Sequence, residues 1–333
     1  MRQREAPSWL EAADGFGQIR LVGARNEALM TGVTLSATTE VATTQPRAQA
    51  STMAELKAFA LEQRKGVCWR TLLFGTIAQV VIFTTTYFAV TGAIPLWFGF
   101  LVNSFWMIQG YTPAHEGVHK NIHGKDNRFH WLNYFYGVVN IGYGLHSYSM
   151  HEHNHRLHHL HANDRERDPE HFVARAKSFP EGVLRCYLYY FTATYDGFKN
   201  AKLHPRPARY LTRIAIELGV VYSVVVLLFA SGYGVEALLL WILPAWNSWA
   251  FNAYRFIYLP HYVLRDELDL IKVSRVLVTK EDLRGRILVW LFNFHNYHEI
   301  HHLYPYVPWH ALEKIYDHGE DLLAREGMRA DAI

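Results

Sequence analysis

Two pairs of long uncharged runs dominate the pattern of hydrophobic and polar positions along this chain. Residues 71–92 and 93–112 contain no Asp, Glu, Lys or Arg. Each run is long enough to cross the hydrocarbon core of a bilayer, which takes about 20 helical residues. The segment TGAIP, where the two runs meet, has the composition of a tight turn. The pattern therefore predicts a first transmembrane hairpin.

The second pair of apolar runs covers residues 214–232 and 235–256, separated by the turn sequence SGYG. The first of these runs contains one acid, Glu217, and the second carries Glu236 near its start and Pro244 in its middle. Buried helices of a soluble protein are the competing interpretation, because the mean hydropathy of the chain is only −0.06. Apolar runs this long are rare in soluble cores, so the pattern favours a second transmembrane hairpin.

The polar stretches around these runs predict the remaining organisation. Residues 1–52 lack the apolar core of a secretory signal, and their Thr- and Ala-rich second half has no amphipathic period, which predicts a flexible tail. A helix along the membrane surface is expected to follow this tail. Residues 130–148 and 288–294 are apolar but too short to span, so they are expected at the interface. We expect one membrane domain over residues 53–333, with an all-α fold.

Positive charge is distributed unevenly around the predicted spans. Both hairpin turns lack Lys and Arg, whereas residues 113–213 and the C-terminal part carry many of them. Because Lys and Arg concentrate in cytoplasmic loops, these parts are expected on the cytoplasmic side of an inner or cytoplasmic membrane. There they would form a helical cap over the four spans. The net charge of +3 is small, so nothing indicates a nucleic-acid partner.

Histidine is the outlier of the composition, with 20 copies against two cysteines. Cys68 and Cys186 are too far apart in sequence for a Cys-x-x-Cys motif, and a disulfide framework is not expected. Eight of the histidines form three groups at helical spacing, in the sequences HEGVH, HRLHH and HEIHH: His115, His119, His155, His158, His159, His298, His301 and His302. A spacing of three or four residues places the rings of each group on one helical face.

Such groups are suited to binding metal ions. Neutral imidazole is a good ligand for iron, zinc and copper. One group supplies only two or three ligands, but three groups that converge in the fold could hold two ions. A ligand set of histidines almost without cysteine is untypical of a structural zinc site.

The three histidine groups, in this order and placed after successive membrane hairpins, resemble the membrane fatty acid desaturase and hydroxylase superfamily. That superfamily includes acyl desaturases and carotenoid ketolases. The similarity extends over residues 69–312. It includes NYHEIHHLYPYVPW at 296–309, which is similar to the extended third histidine box, and RDPEHF at 167–172, where many members carry Asp-Pro.

The resemblance implies a non-haem di-iron centre held by about nine histidines, with O2 as co-substrate. The position of the ninth histidine matches His261, in a YLPHY sequence similar to one found in carotenoid ketolases. Some desaturases add an asparagine one helical turn earlier, where this chain has Ile257. Water or Asn252 could take its place.

Other polar residues near the boxes are candidates for supporting roles. Metal-bound imidazoles usually donate their second N–H to a carboxylate or carbonyl group. Four acids flank the boxes and are expected to orient histidines in this way: Glu116, Glu152, Asp168 and Glu299. His151 lies one turn before His155 and is expected as a partner of the ligands or as a ligand, and the role of His295 is open. Arg255 is expected to pair with an acid, to bind a lipid phosphate or to snorkel.

These observations predict an O2-dependent di-iron oxidoreductase, in the first place a desaturase of a fatty acyl chain in a lipid. A hydroxylase or ketolase acting on a lipid or carotenoid is the alternative, since the motifs do not distinguish the outcomes. A histidine-rich metal transporter is a distant alternative, because the spans contain almost no ionisable ligands. The chain has no haem, rubredoxin or dinucleotide motif, so electrons are expected from an external donor such as an acidic ferredoxin.

Overall fold

The computed structural model of the chain describes residues 49–333. The predicted tail over residues 1–52 lies outside this range except for its last four positions, and it stays a prediction. The described part is mostly helical, as expected. Helix α1, Met53–Gln63, begins where the Thr52 hydroxyl accepts a hydrogen bond from the Glu55 amide, which satisfies one of its free N–H groups.

The first predicted hairpin is present as two long helices, α2 (Trp69–Val90) and α3 (Leu96–Val118). The turn between them contains Gly92 at φ 77°, a left-handed conformation that glycine adopts without strain. The short apolar stretch that follows forms α4 (Trp131–Tyr143). Helix α5 (Tyr148–His161) carries the second histidine group.

The second half of the chain continues with α6 (His171–Ala174), α7 (Phe179–Lys199) and α8 (Pro207–Ala230). After the predicted turn, an unbroken helical run leads to the ninth histidine of the sequence analysis. It consists of three α-helical and two π-helical parts: α9 (Gly234–Ala237), Leu238–Ile242, α10 (Leu243–Ala253), Tyr254–Tyr258 and α11 (Leu259–His261). Single π-helical turns often occur at functional sites, and the second one here directly precedes α11, which ends at His261.

The C-terminal part contains β1 (Arg275–Val278), α12 (Leu283–Leu291), α13 (His298–Leu303), α14 (Leu312–Arg325) and β2 (Arg329–Ala332). The two strands pair in parallel, with Arg275 opposite Arg329. The sequence analysis does not anticipate this sheet. Four-residue strands are too short for a clear alternating pattern, and the second one, RADA, is largely polar.

In the described part of the chain, two helices are long and apolar enough to cross a membrane by length and composition, α2 and α8. Both expose large apolar side chains. On α2, Leu73 and Tyr87 are 63% and 64% exposed, and on α8, Val226 and Leu227 are 65% and 64% exposed. Helix α3 is buried mainly in its second half, from Met107 onward, and carries polar residues there, and the run from α9 to α11 is interrupted by π turns. The four-span arrangement therefore stays a prediction.

Two hydrophobic clusters position the histidine-bearing segments. One lies between α3, α5, α7 and α10, and includes Val118, Tyr148 and Trp249. The other joins α1, β1, α13 and α14 through buried residues such as Leu56 and Ile300. Burial of each large apolar side chain contributes about 1.5–3 kcal/mol. The first hydrophobic cluster thus holds the end of α3 against α5, and the second holds α13 against α1, β1 and α14.

Arg255 differs from its expected role, because it neither snorkels nor pairs with a carboxylate. Its side chain is 1% exposed. The guanidinium donates hydrogen bonds to the Leu291 carbonyl oxygen (2.7 Å) and to Asn252 Oδ1 (2.7 Å), and it lies over the ring of Phe256. Leu291 ends α12, where free carbonyl groups carry partial negative charge, which compensates the buried cation.

Candidate metal centre

The end of α3 supplies the first two histidines. His115 lies in the last turn, is fully buried, and has no hydrogen-bond partner on either ring nitrogen among the described residues. His119 is the C-cap residue of the same helix. Buried polar atoms of native proteins are nearly always partnered, so the free nitrogens of His115 are available to bind a metal ion.

Helix α5 presents His155, His158 and His159 to the interior, as its spacing predicts. Its start is fixed by Ser147, which accepts a hydrogen bond from the Met150 amide, and its middle by Asn154, which donates to the Ala193 carbonyl of α7. These two hydrogen bonds fix the position of α5 and therefore of its three histidine rings. All three histidines are at most 6% exposed.

The remaining histidines come from two short helices. Helix α13 buries His298, His301 and His302 almost completely. His261 ends α11 and is fully buried as well. Helices of three and six residues are not stable by themselves, so both are held in place by the packing around them.

The first cluster brings together histidines from all three groups. Its core is formed by His115, His119, His155 and His301, whose nearest ring nitrogens lie within 4.8 Å of one another. His155 Nε2 is 3.0 Å from His119 Nε2 and 3.1 Å from His159 Nε2. His159 Nε2 is also 3.0 Å from His301 Nε2, which places His159 at this cluster.

The second cluster contains His158, His261, His298 and His302, again with ring nitrogens within 4.8 Å of one another. His298 Nε2 is 3.1 Å from both His261 Nε2 and His302 Nε2. His158 Nε2 is 3.3 Å from His302 Nε2. The structure thus brings together all nine histidines that the sequence analysis selects, in groups of five and four.

The separations between facing nitrogens match those expected around a metal ion. Two imidazole nitrogens bound to one ion at about 2.1 Å, and at right angles to each other, are about 3.0 Å apart. In addition, neighbours fix the proton of some rings on Nδ1. His261 Nδ1 donates to the Val273 carbonyl oxygen (2.9 Å), and His155 Nδ1 donates to Glu170 Oε1 (3.1 Å). A ring whose only proton is on Nδ1 presents the lone pair of Nε2 to the centre of its cluster.

Burial determines the charge of most of these imidazoles. It lowers the pKa of six of them well below the usual value, and neighbouring histidines add to the effect: His115, His119, His159, His298, His301 and His302. Burial also lowers the pKa of His261 to about 3. Neutral imidazole is the form that binds metal ions.

His158 is the exception among the nine histidines. Burial lowers its pKa, but Asp168 and Glu170 outweigh this effect and raise the pKa to about 9. Its Nδ1 donates to Asp168 Oδ1 at 2.9 Å, in agreement with the orienting role predicted for Asp168. A metal ion that binds Nε2 would displace a proton from this ring.

Sequence reasoning missed two residues that support the clusters. Glu170 binds His155 through Oε1, and its Oε2 is 3.6 Å from His158 Nε2, so one carboxylate contacts both clusters. Asn163 approaches His261 Nδ1 with Oδ1 (3.2 Å) and donates to the Val273 carbonyl oxygen. The acid was visible in RDPEHF, two positions after Asp168, whereas nothing in the sequence distinguishes Asn163 from a loop asparagine.

The other three acids have partners other than the histidines they were expected to orient. Glu116 accepts hydrogen bonds from Asn121 and the Trp309 amide, and Glu299 accepts two from Ser274. Burial raises the pKa of both carboxyl groups to about 8 in spite of these bonds. Glu152 pairs with Lys120 at 2.5 Å. These acids tie the histidine helices to neighbouring segments.

The additional ligand candidates of the sequence analysis, His151 and Asn252, differ in their distance from the clusters. The ring of His151 stacks on that of His155, with centroids 5.6 Å apart, and its Nε2 has no partner among the described residues. Asn252 is engaged with Arg255 and Ser248, and Ile257 belongs to the hydrophobic core. Asn252 therefore does not take part in either cluster.

Two adjacent, buried clusters of histidines in a helical protein are typical of proteins that bind metal ions through imidazole ligands. Comparison with protein-family models identifies the family. The model of the fatty acid desaturase family matches residues 51–331. The chain therefore belongs to the fatty acid desaturase family, and it is an oxidoreductase of the desaturase and hydroxylase type. No curated protein matches the chain at a significant level.

Proposed function

We propose that this protein is an O2-dependent non-haem di-iron enzyme that introduces a double bond into a fatty acyl chain of a lipid. One observation carries the proposal: nine buried histidines form two clusters in which Nε2 atoms face one another at 3.0–3.3 Å. Cations at the two centres would satisfy these nitrogens. Membership of the desaturase family supports iron as the metal.

The nine histidines would hold the two irons, five at the first cluster and four at the second. When bound, two irons would pass electrons from the external donor to O2, and the O2 activated in this way would supply the oxidant that breaks an unactivated C–H bond. The chain contributes orientation and the exclusion of water. Asp168, Glu170 and the Val273 carbonyl fix the rings, and eight of the nine side chains are almost entirely buried. The four-to-five asymmetry would leave more open coordination at the second iron.

Substrate would reach the centre from the bilayer. The apolar surfaces of α2 and α8 support insertion of these helices, and we extend the proposal to four spans with the clusters on the cytoplasmic side. Between α3, α4 and α10 lies a cavity of about 20 Å³, lined by Met107, Tyr111 and Trp249 among others. The Tyr111 ring is 5.9 Å from the ring of His115. Because this volume holds about one water molecule, an acyl chain would enter only when these helices separate.

Electrons would come from an external donor, and we propose a small acidic protein such as a ferredoxin. The support is the excess of Lys and Arg in residues 113–213, the part that carries α5. Replacing exposed members of this group, for example Arg128 or Lys202, with Glu is expected to slow electron transfer at low salt. Unchanged rates in all such variants would contradict this site of docking.

A hydroxylase or ketolase that acts on a lipid or carotenoid is the second candidate. It is favoured by the position of His261, because the YLPHY sequence, which is similar to one in carotenoid ketolases, leads directly into the second cluster. The first hydrogen abstraction is the same for both candidates. Loss of a second hydrogen gives a double bond, whereas transfer of oxygen gives an alcohol or, after repetition, a ketone.

Two measurements test the proposed function. Metal analysis of the purified full chain is expected to give two irons per protein, and zinc alone would contradict the proposal. Mass spectrometry of lipids and pigments, in a host with and without the gene, identifies the reaction. A product lighter by two hydrogens supports the desaturase, and a product heavier by one oxygen supports the second candidate.

A further inference from the structure

His295 is a tenth buried histidine beside the metal centre, and none of the three histidine boxes contains it. It lies in a short 3₁₀ turn, His295–Tyr297, just before α13. Its side chain is 1% exposed. The sequence leaves its role open, because His295 lies at helical spacing before His298. In the structure α13 starts only at His298, so His295 precedes the helix.

The chain before His295 is built to hold its ring in one place. Asn293 and Phe294 both have positive φ angles, 49° and 58°, which non-glycine residues rarely adopt. The side chain of Asn293 is fully buried and donates to Gln109 Oε1 and Thr112 Oγ1, both at 2.8 Å. Gln109 and Thr112 belong to α3, one to two turns before His115. The turn is thereby fixed to the helix that provides the first two ligands.

The ring nitrogens of His295 have different environments. Nδ1 donates to the Asn293 carbonyl oxygen at 2.9 Å. A carbonyl oxygen only accepts hydrogen bonds, so the proton of the neutral ring is on Nδ1 and the lone pair is on Nε2. Among the described residues Nε2 has no hydrogen-bond partner, although it is buried. This is the arrangement that also prepares His261 for its cluster.

The first cluster lies directly beside this ring. The centroid of the His295 ring is 4.9 Å from that of His115 and 5.7 Å from that of His301. Ligand atoms of His115, Glu116 and His295 lie within 4.8 Å of one another. The ring also contacts Phe256, which is apolar and offers no partner for a lone pair.

We propose that His295 supplies a further imidazole nitrogen to the iron held beside His115. The inference rests on the proposed di-iron function and extends the ligand set of the first cluster to six histidines. The second cluster keeps four, so the open coordination positions are concentrated at the second iron. Substrate and O2 would therefore meet on the side of His158, His261, His298 and His302.

The test uses the purified full chain loaded with ⁵⁷Fe in detergent. Mössbauer spectra of the reduced wild type are expected to contain two ferrous doublets of equal area. In His295→Ala and His295→Gln, one doublet is expected to shift and the other to stay unchanged. Release of one iron to a chelator is expected to be about 10-fold or more faster. His146→Ala is the matched control, because His146 is equally buried but lies outside both clusters.

Several outcomes decide the matter. Spectra and iron release identical to the wild type in both variants would overturn the inference and leave the proposed function intact. A wild type without iron would overturn both. If the variants lose both irons, His295→Gly is measured with added imidazole. Recovery of both wild-type doublets supports a ligand role for His295, and failure to recover them contradicts that role.

Discussion

At the scale of the residue, the partners of each ring nitrogen determine what a histidine can do. The Val273 carbonyl, Asp168 and Glu170 accept hydrogen bonds from Nδ1–H groups, which leaves Nε2 for a metal ion. The spacing of the boxes predicts which histidines converge, since it defines helical faces. It cannot predict the acceptors, because these depend on where loops such as 162–170 return to the helix.

The first prediction concerns the histidines themselves. His158→Ala and His301→Ala each remove one nitrogen from a different cluster, so both are expected to abolish product formation while expression stays near the wild-type level. Lipid analysis by mass spectrometry measures the effect. His130→Ala is the control, because His130 is exposed and lies outside both clusters. Product formation by both variants would contradict the assignment of the ligands.

The second prediction concerns Glu170, which contacts one histidine of each cluster. Glu170→Gln keeps the size of the side chain but removes its charge and weakens its bond to His155. Loss of such a partner typically lowers metal affinity about 10–100-fold, and we expect that range for iron. Competition with a chelator measures it. Asp164→Asn is the control, since Asp164 pairs with Arg167 at the surface; equal affinities for both variants would argue against a supporting role of Glu170.

At the scale of the element, helices α5 and α8 are joined by one buried carboxylate. Glu217, the single acid in the run 214–232, accepts hydrogen bonds from Tyr134, from both Ser149 N and Oγ, and from the Ser147 hydroxyl. It binds the free N-terminal groups of α5, where negative charge is favourable. From hydropathy alone, Glu217 is an unfavourable charge in an apolar run. In the structure it holds the start of α5, the helix that carries the second histidine group.

The third prediction follows from this anchor. Glu217→Ala leaves three buried donors, Ser147 Oγ, Ser149 N and Ser149 Oγ, without this acceptor, which is expected to cost about 3 kcal/mol or more of stability. We expect a lower midpoint of thermal unfolding in detergent and loss of iron from both clusters. Glu236→Ala removes the same charge in the short helix α9, which follows α8, and serves as the control. Similar midpoints for the two variants would show that Glu217 does not hold α5.

At the scale of the whole molecule, the sequence predicts the helical class, the first hairpin and the convergence of the boxes, because each depends on local periodicity or on a family pattern. Three features were out of reach. The β1–β2 pair joins segments more than 50 positions apart, and the π turns around α10 shift the helical register without a sequence signal. The buried position of Arg255 depends on the end of α12, which no periodicity in its own helix reveals.

The fourth prediction concerns removal of the metal from the whole protein. Without cations, the buried ring nitrogens of the two clusters lose the positive charge that they would bind, so the apoprotein is expected to be less stable. A ligand present at about 1,000 times its dissociation constant stabilises the native state by about 4 kcal/mol. We expect thermal unfolding in detergent at least about 5 °C lower after chelation, reversed by Fe²⁺ and not by Mg²⁺. An unchanged midpoint would contradict structural coupling between the metals and the fold.

The two clusters share their helices. Helix α5 gives His155 and His159 to one and His158 to the other, and α13 divides His301 from His298 and His302 in the same way. The distance between the two clusters is therefore set by the pitch of an α-helix and not by any loop. Insertions elsewhere could reshape access to the clusters, but they would not change the spacing of ions bound there, and neither cluster could be transferred to another protein without the other.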